Sequence, residues 1–120
     1  MTGRRGYKDL LEEAERQVAA ITPEQAAGRA AAAGTVLIDL REAGERRRDG
    51  CIAGAVHVPR GMLEFWVDPE SPYYKPAFDA AERYILFCAA GWRSALAAKT
   101  LQDMGFGPVE HMAGGFKAWK

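Results

Sequence analysis

At 120 residues the chain is long enough for one domain with a modest hydrophobic core. Its 16 lysines and arginines balance 16 aspartates and glutamates, so no polybasic surface for nucleic acid or anionic lipid is expected. Two cysteines, Cys51 and Cys88, are too few for a disulfide scaffold and lack the pattern of a zinc site. The start, MTGRRGYKDLLEEAERQ, carries charges where a signal peptide needs an apolar stretch, and no apolar run reaches membrane-spanning length. A soluble cytoplasmic protein without metal or cofactor is expected.

Leu11, Ala14, Val18 and Ile21 fall at helical spacing, which predicts an amphipathic helix ending near Ile21. A second helix opens on Thr22 as N-cap, Pro23 at the first helical position and Gln25 closing a capping box; alanines carry it to Gly34. TVLIDLR reads as a strand buried on both faces. REAGERRRDG mixes signs and reads as a solvated helix or loop, leading into a second strand, CIAGAVHVP, closed by Pro59. Residues 60–81 hold the aromatic pairs Phe65-Trp66 and Tyr73-Tyr74 together with Pro69, Pro72 and Pro76, and are predicted to form a short helix and an excursion loop. RYILF is the clearest strand. The helix after it sets Ala97, Leu101 and Met104 on one side and stops at Gly105, with Pro108 beyond. VEHM reads as a last strand and GGFKAW as a closing helical turn. Strands alternating with helices predict an α/β three-layer domain with a parallel sheet.

Cys88 falls where that sheet meets a helix, at the carboxyl edge where such folds bind ligands. Ala89, Ala90 and Gly91 are small enough for the backbone to close around a central atom, and the free amides of the following helix turn carry partial positive charge. With the permanent charge of Arg93 they favour a thiolate, hence a nucleophile at neutral pH. The plain alternative is a buried cysteine acting as a small hydrophobe. The spacing Cys88-Ala89-Ala90-Gly91-Trp92-Arg93 bears on the chemistry, because phosphotyrosine-type phosphatases place one residue more between cysteine and arginine to encircle a phosphate. The tighter ring suits a single sulfur atom.

From about Thr22 onward the chain resembles the single-domain rhodaneses, a family of sulfurtransferases. VLIDLRE resembles the family's strand ending in Asp-x-Arg, here Asp39 and Arg41. GCIAGAVHVP resembles its Gly-His-Ile-x-Gly-Ala segment, CAAGWRS its active-site loop, and GFGPVEHMAGGFKAW its closing Gly-Phe, Gly-Gly and Trp segment. The resemblance implies a mostly parallel five-stranded sheet with helices on both faces over residues 22–120, preceded by an N-terminal helical extension, 1–21. It implies that Cys88 carries a sulfane sulfur as a persulfide between a donor such as thiosulfate and a cyanide or thiol acceptor. Backbone amides from Ala89 through Ala90, Gly91, Trp92 and Arg93 to Ser94 would cradle that sulfur, with the Arg93 fork on an anionic donor. Asp39 and Arg41 would brace the loop.

Two positions depart from the family pattern. Ala89 stands where thiosulfate-using relatives often carry a second arginine, and Cys51 stands where the family usually has histidine. Cys51 is a quiet replacement or, in a sharper hypothesis, a thiol that attacks the Cys88 persulfide. Trp92 walls the pocket or merely packs. Arg60 and Trp66, following the second strand, are expected at the pocket mouth, which would make residues 60–81 a lid. His57 and His111 read as isolated strand or surface residues, and no general base is required. Four functions stay open: an enzyme acting on small molecules, a relay module served by partner proteins, an inactive scaffold, and a phosphatase or arsenate reductase.

Overall fold

A computed structural model describes residues 3–120. Strand β4 (Arg83–Phe87) alternates its side chains between two apolar cores, as the period of two in a strand requires. Tyr84 and Leu86, with Cys88 just beyond, join Ile38, Leu40, Val58 and Leu101 on one face. Ile85 and Phe87 join Ile21, Leu37, Met112 and Phe116 on the other. A sheet buried on both faces is what parallel pairing demands, and every paired strand here is parallel: β1 (Ala19–Ile21), β5 (Val109–Met112), β4, β2 (Thr35–Asp39) and β3 (Val56–His57), in that spatial order.

Helix α5 (Trp92–Asp103) covers the first face through Ala97, Ala98 and Leu101, beside α4 (Leu63–Val67). Helix α1 (Tyr7–Gln17) lies outside α5, where Leu11 and Ala14 bury against Ala95. The second face is covered by Ala26 of α2 (Pro23–Ala30) and Phe116 of α6 (Gly115–Trp119). The charged helix α3 (Ala43–Asp49) crosses between β2 and β3. Among the described residues no helix is long and apolar enough to cross a membrane.

The capping box forms as read: Gln25 N–H donates to Thr22 Oγ1 at 3.1 Å and Thr22 N–H to Gln25 Oε1 at 2.9 Å. The first helix, however, ends at Gln17. Val18 turns extended (φ -113, ψ 133), and Ala19–Ile21 become the edge strand β1, paired with Glu110, His111 and Met112. The helical spacing of Leu11, Ala14, Val18 and Ile21 runs across two elements, because all four bury in a core by different routes. The second helix stops at Ala30, short of Gly34, which makes its positive-φ turn (φ 84) just ahead of β2. Met104 caps α5 on its exposed side rather than joining the core. Residues 60–81 are no free loop: Leu63, Val67 and Phe78 bury in the first core, and Lys75 stacks on Trp66 at 4.6 Å.

Because Ile21 is 5 % exposed and belongs to the sheet, Ile21→Ala is expected to cost about 2–4 kcal/mol in urea unfolding. A cost near zero would mean that β1 is a detachable extension.

Candidate active site

The chain leaves β4 at Phe87 and enters α5 at Trp92, so residues 88–91 must turn from strand to helix within one tight loop. Gly91 permits this with φ 120, a conformation that side chains rarely adopt. The loop is held from outside by α6. Phe116 N–H donates to the Cys88 carbonyl at 2.8 Å and Lys117 N–H to the Ala89 carbonyl at 3.1 Å. Gly114 and Gly115, both at positive φ, let that helix approach; a Cβ on Gly115 would stand 2.4 Å from the Cys88 carbonyl oxygen.

With those carbonyls taken, amides remain for the sulfur. Gly91 N–H donates to Cys88 Sγ at 3.1 Å, and the first-turn amides of α5 have no acceptor one turn earlier in the helix. Sγ also lies 3.7 Å from Ser94 Oγ, which stands 3.0 Å from His111 Nδ1 and 3.2 Å from the Gly91 carbonyl. Cys88 is 1 % exposed and forms the floor of the loop, not its rim. Cys88 belongs to the α5-side core, as the apolar-packing alternative expects, and its sulfur also meets a backbone amide and lies near a hydroxyl. Ala90 and Trp92 form the exposed rim, and Trp92 stacks on Tyr7 of α1 with centroids 5.4 Å apart.

The two ion pairs near the loop differ in kind. Asp39 and Arg41 are buried: Arg41 Nε and Nη2 fork onto the Asp39 carboxylate at 3.0 and 2.9 Å, Nη2 also reaches the Gly50 carbonyl at 2.9 Å, and Arg46 Nε adds a bond to Asp39 at 3.1 Å. The Arg41 guanidinium stacks on the Phe116 ring at 4.1 Å, so this pair supports α6 and through it the Cys88 carbonyl. A buried, fully forked pair locks geometry more than it adds stability.

Arg93 does not hold its fork free. Nη1 and Nη2 donate to Glu45 at 2.8 and 2.9 Å, joining α5 to α3 across the loop. The bonded Arg93 guanidinium holds the Glu45 carboxyl down at about 2, and Glu45 in turn raises the guanidinium, with Cys88 adding to the same effect.

Of the residues singled out in the sequence, Cys88 through Ser94 form the loop and the first turn of α5, and Asp39 and Arg41 act on the loop through Phe116. Arg60 is not brought there. It follows β3 but turns to Glu64 at 3.1 Å and Thr100 at 3.3 Å, on the outer side of α5. Trp66 packs on the first core, and no residue of 60–81 lines the hollows that adjoin the loop, so a strand-end position alone was a poor guide. Cys51 is exposed, with Sγ 3.9 Å from the Arg46 carbonyl; both thiols are free. His57 bonds the Arg41 carbonyl at 2.6 Å. Glu45, within a charged run, gives no sequence sign of its pairing with Arg93, and His111, which reads as isolated on a strand, meets Ser94.

Glu45 ionises at about 2 in the fold against 4.5 unpaired, so its contribution is complete above about pH 4.5 and is lost as the pH falls through about 2. Glu45→Gln is expected to lower stability by about 1 kcal/mol at neutral pH, the scale for a half-exposed forked pair, and to match the parent at the acid end of a urea series. A constant difference at every pH would exclude the ion pair as its source.

The Rhodanese-like domain family model matches residues 22–120. The mouse thiosulfate sulfurtransferase/rhodanese-like domain-containing protein 3 is 32 % identical over 89 residues, a match spanning 70 % of this chain and 57 % of that protein. The putative sulfurtransferase YtwF of Bacillus subtilis is 33 % identical over 84 residues, 70 % of this chain and 72 % of its own length. A solved structure from Rhodopseudomonas palustris, of a protein of unknown function described as a possible tyrosine phosphatase, is 47 % identical with a TM-score of 0.90, over 99 % of this chain and 92 % of that one. With a sheet and loop of the geometry above, the chain belongs to the Rhodanese-like domain family.

Proposed function

We propose that the chain transfers a sulfane sulfur through a persulfide on Cys88. The observation that carries this reading is the loop's polarity: α6 takes the Cys88 and Ala89 carbonyls at 2.8 and 3.1 Å, and an amide points at Sγ at 3.1 Å. With thiosulfate as donor, the Cys88 thiolate attacks the outer sulfur. A new S–S bond forms, the donor's S–S bond breaks, and sulfite leaves with the electron pair. Cyanide or a thiolate acceptor then attacks the terminal sulfur, and Cys88 departs as thiolate. In both steps the negative charge stays inside the amide ring, which favours it without rearrangement.

The forked pairing of Arg93 with Glu45 alters the expected donor contact. In this reading Arg93 is a wall of the loop, and the donor's charge meets backbone amides. Ala89 adds no charge. The site is therefore milder than one built for thiosulfate, and small persulfides or a protein persulfide fit it as donors too. The rim supports the protein case, because Tyr7, Leu11, Trp92 and Leu96 line an apolar hollow beside Arg93, with Trp92 62 % exposed.

Thiocyanate formation from thiosulfate and cyanide is expected for the parent protein and absent for Cys88→Ser. Equal rates in both would refute Cys88-dependent transfer. A stable Cys88 persulfide in intact-mass spectra without thiocyanate turnover would select the protein relay. Cys88-dependent phosphotyrosine hydrolysis without persulfide would replace the reading by a phosphatase.

A further inference from the structure

Cys88, Ser94 and His111 form a continuous chain of polar groups across the end of the sheet. The links are 3.7 Å from Sγ to Ser94 Oγ and 3.0 Å from Ser94 Oγ to His111 Nδ1. Ser94 is 0 % and His111 5 % exposed, so each relies on the other as a partner. His111 also lines a cleft of about 350 Å³ with Glu15, Ala90, Gly91 and Trp92, which connects its ring to the loop rim. The adjoining register positions hold Ala20 and Leu86, so His111 is the one titratable side chain at this level of the three strands.

We infer that His111 is a positioning residue that draws the Cys88 proton through the Ser94 hydroxyl and so sets the pH range in which the sulfur reacts. The inference rests on Cys88 as the reacting thiol. The transfer balances without a co-reactant. The S–H bond breaks as an O–H bond forms at Ser94 Oγ, and the original Ser94 O–H bond breaks as an N–H bond forms at His111 Nδ1. Thiolate and imidazolium result. When sulfur arrives, the negative charge moves from Sγ to the outer sulfur and the imidazolium stays in place opposite it.

Two influences act on the ring in opposite directions. Burial lowers the His111 pKa, and the Glu15 carboxylate from α1 opposes the effect. The ring is therefore neutral at neutral pH and free to accept at Nδ1. Arg93 on α5 is spent on Glu45 of α3, β1 supplies only Ala19, Ala20 and Ile21, and β4 supplies no charge beside the ring before Cys88. In acid the ring already carries a proton. Its Nδ1–H then donates to Ser94 Oγ, the hydroxyl turns to the Gly91 carbonyl 3.2 Å away, and Cys88 keeps its proton.

Iodoacetamide alkylation of Cys88, followed by peptide mass spectrometry against pH in a Cys51→Ala background, tests this. His111→Asn keeps a hydrogen-bond partner for Ser94 but cannot take a proton. It is expected to move the acid limb of the rate up by a pH unit, a loss of about tenfold near pH 6. Ser94→Ala should show the same loss, and the double variant no further loss, since both cut one path. An unchanged limb in His111→Asn, or a normal limb in Ser94→Ala, overturns the inference; His111→Gln serves the same purpose if the asparagine variant fails to fold. Alkylation needs no sulfur donor. Intact pH-dependent alkylation without thiocyanate production would therefore strike the transfer reading alone, while a Cys88 inert at every pH would strike both.

Discussion

The structure depends on two hydrogen bonds that hold the Cys88 loop from behind. Phe116 and Lys117 donate their amides to the carbonyls of Cys88 and Ala89, and in doing so decide which way the peptide groups of the loop face. A carbonyl aimed at Sγ would repel a thiolate; one captured by α6 leaves that space to N–H donors. The contact requires a helix backbone nearly touching a loop backbone, which is why Gly114 and Gly115 precede it. Positive φ (76 and 62) disfavours side chains at both, and at Gly115 an added Cβ would also stand 2.4 Å from the Cys88 carbonyl oxygen, whereas at Gly114 it would meet Ala118 Cβ of α6 itself at 2.7 Å.

Charge plays a supporting part. Arg41 is clamped by Asp39 and lies flat on Phe116, so its cation anchors α6 instead of facing a ligand. Arg93 is clamped by Glu45. Both cations nearest the loop are thus matched by carboxylates, and the backbone donor on Sγ is the Gly91 amide at 3.1 Å. In the transfer we propose, such a site would distinguish poorly between a dianionic donor and a weakly charged one, and its rim is the apolar surface made by Tyr7 and Trp92. Helix α1 supplies half of that rim by packing on α5 and stacking its tyrosine on the loop's tryptophan.

The loop was legible in the sequence because its parts are contiguous: an apolar strand, a cysteine, small residues, an arginine and a helix follow one another from Arg83 to Asp103. The strands RYILF and VEHM and the parallel character of the sheet were legible for a similar reason, short apolar runs alternating with helical segments along the chain. What could not be read depends on chain-distant partners. Glu45 sits 48 residues from Arg93, inside a run of charges that gave no sign that Glu45 and Arg46 face inward. His111 looked isolated until Ser94, 17 residues away, was placed against it. The edge strand β1 was hidden by a coincidence of period: Val18 and Ile21 continue the helical spacing of Leu11 and Ala14 after the helix has ended. Arg60 failed in the opposite sense, since following a strand did not decide that its guanidinium would turn to α5.

The most direct measurement is a crystal structure of the protein after exposure to thiosulfate. The account requires one added sulfur on Cys88 Sγ, enclosed by the loop and within hydrogen-bond distance of amides between Ala89 and Ser94, with the Phe116 and Lys117 bonds intact. An unmodified Cys88, or an added sulfur turned away from those amides toward the core, would contradict it.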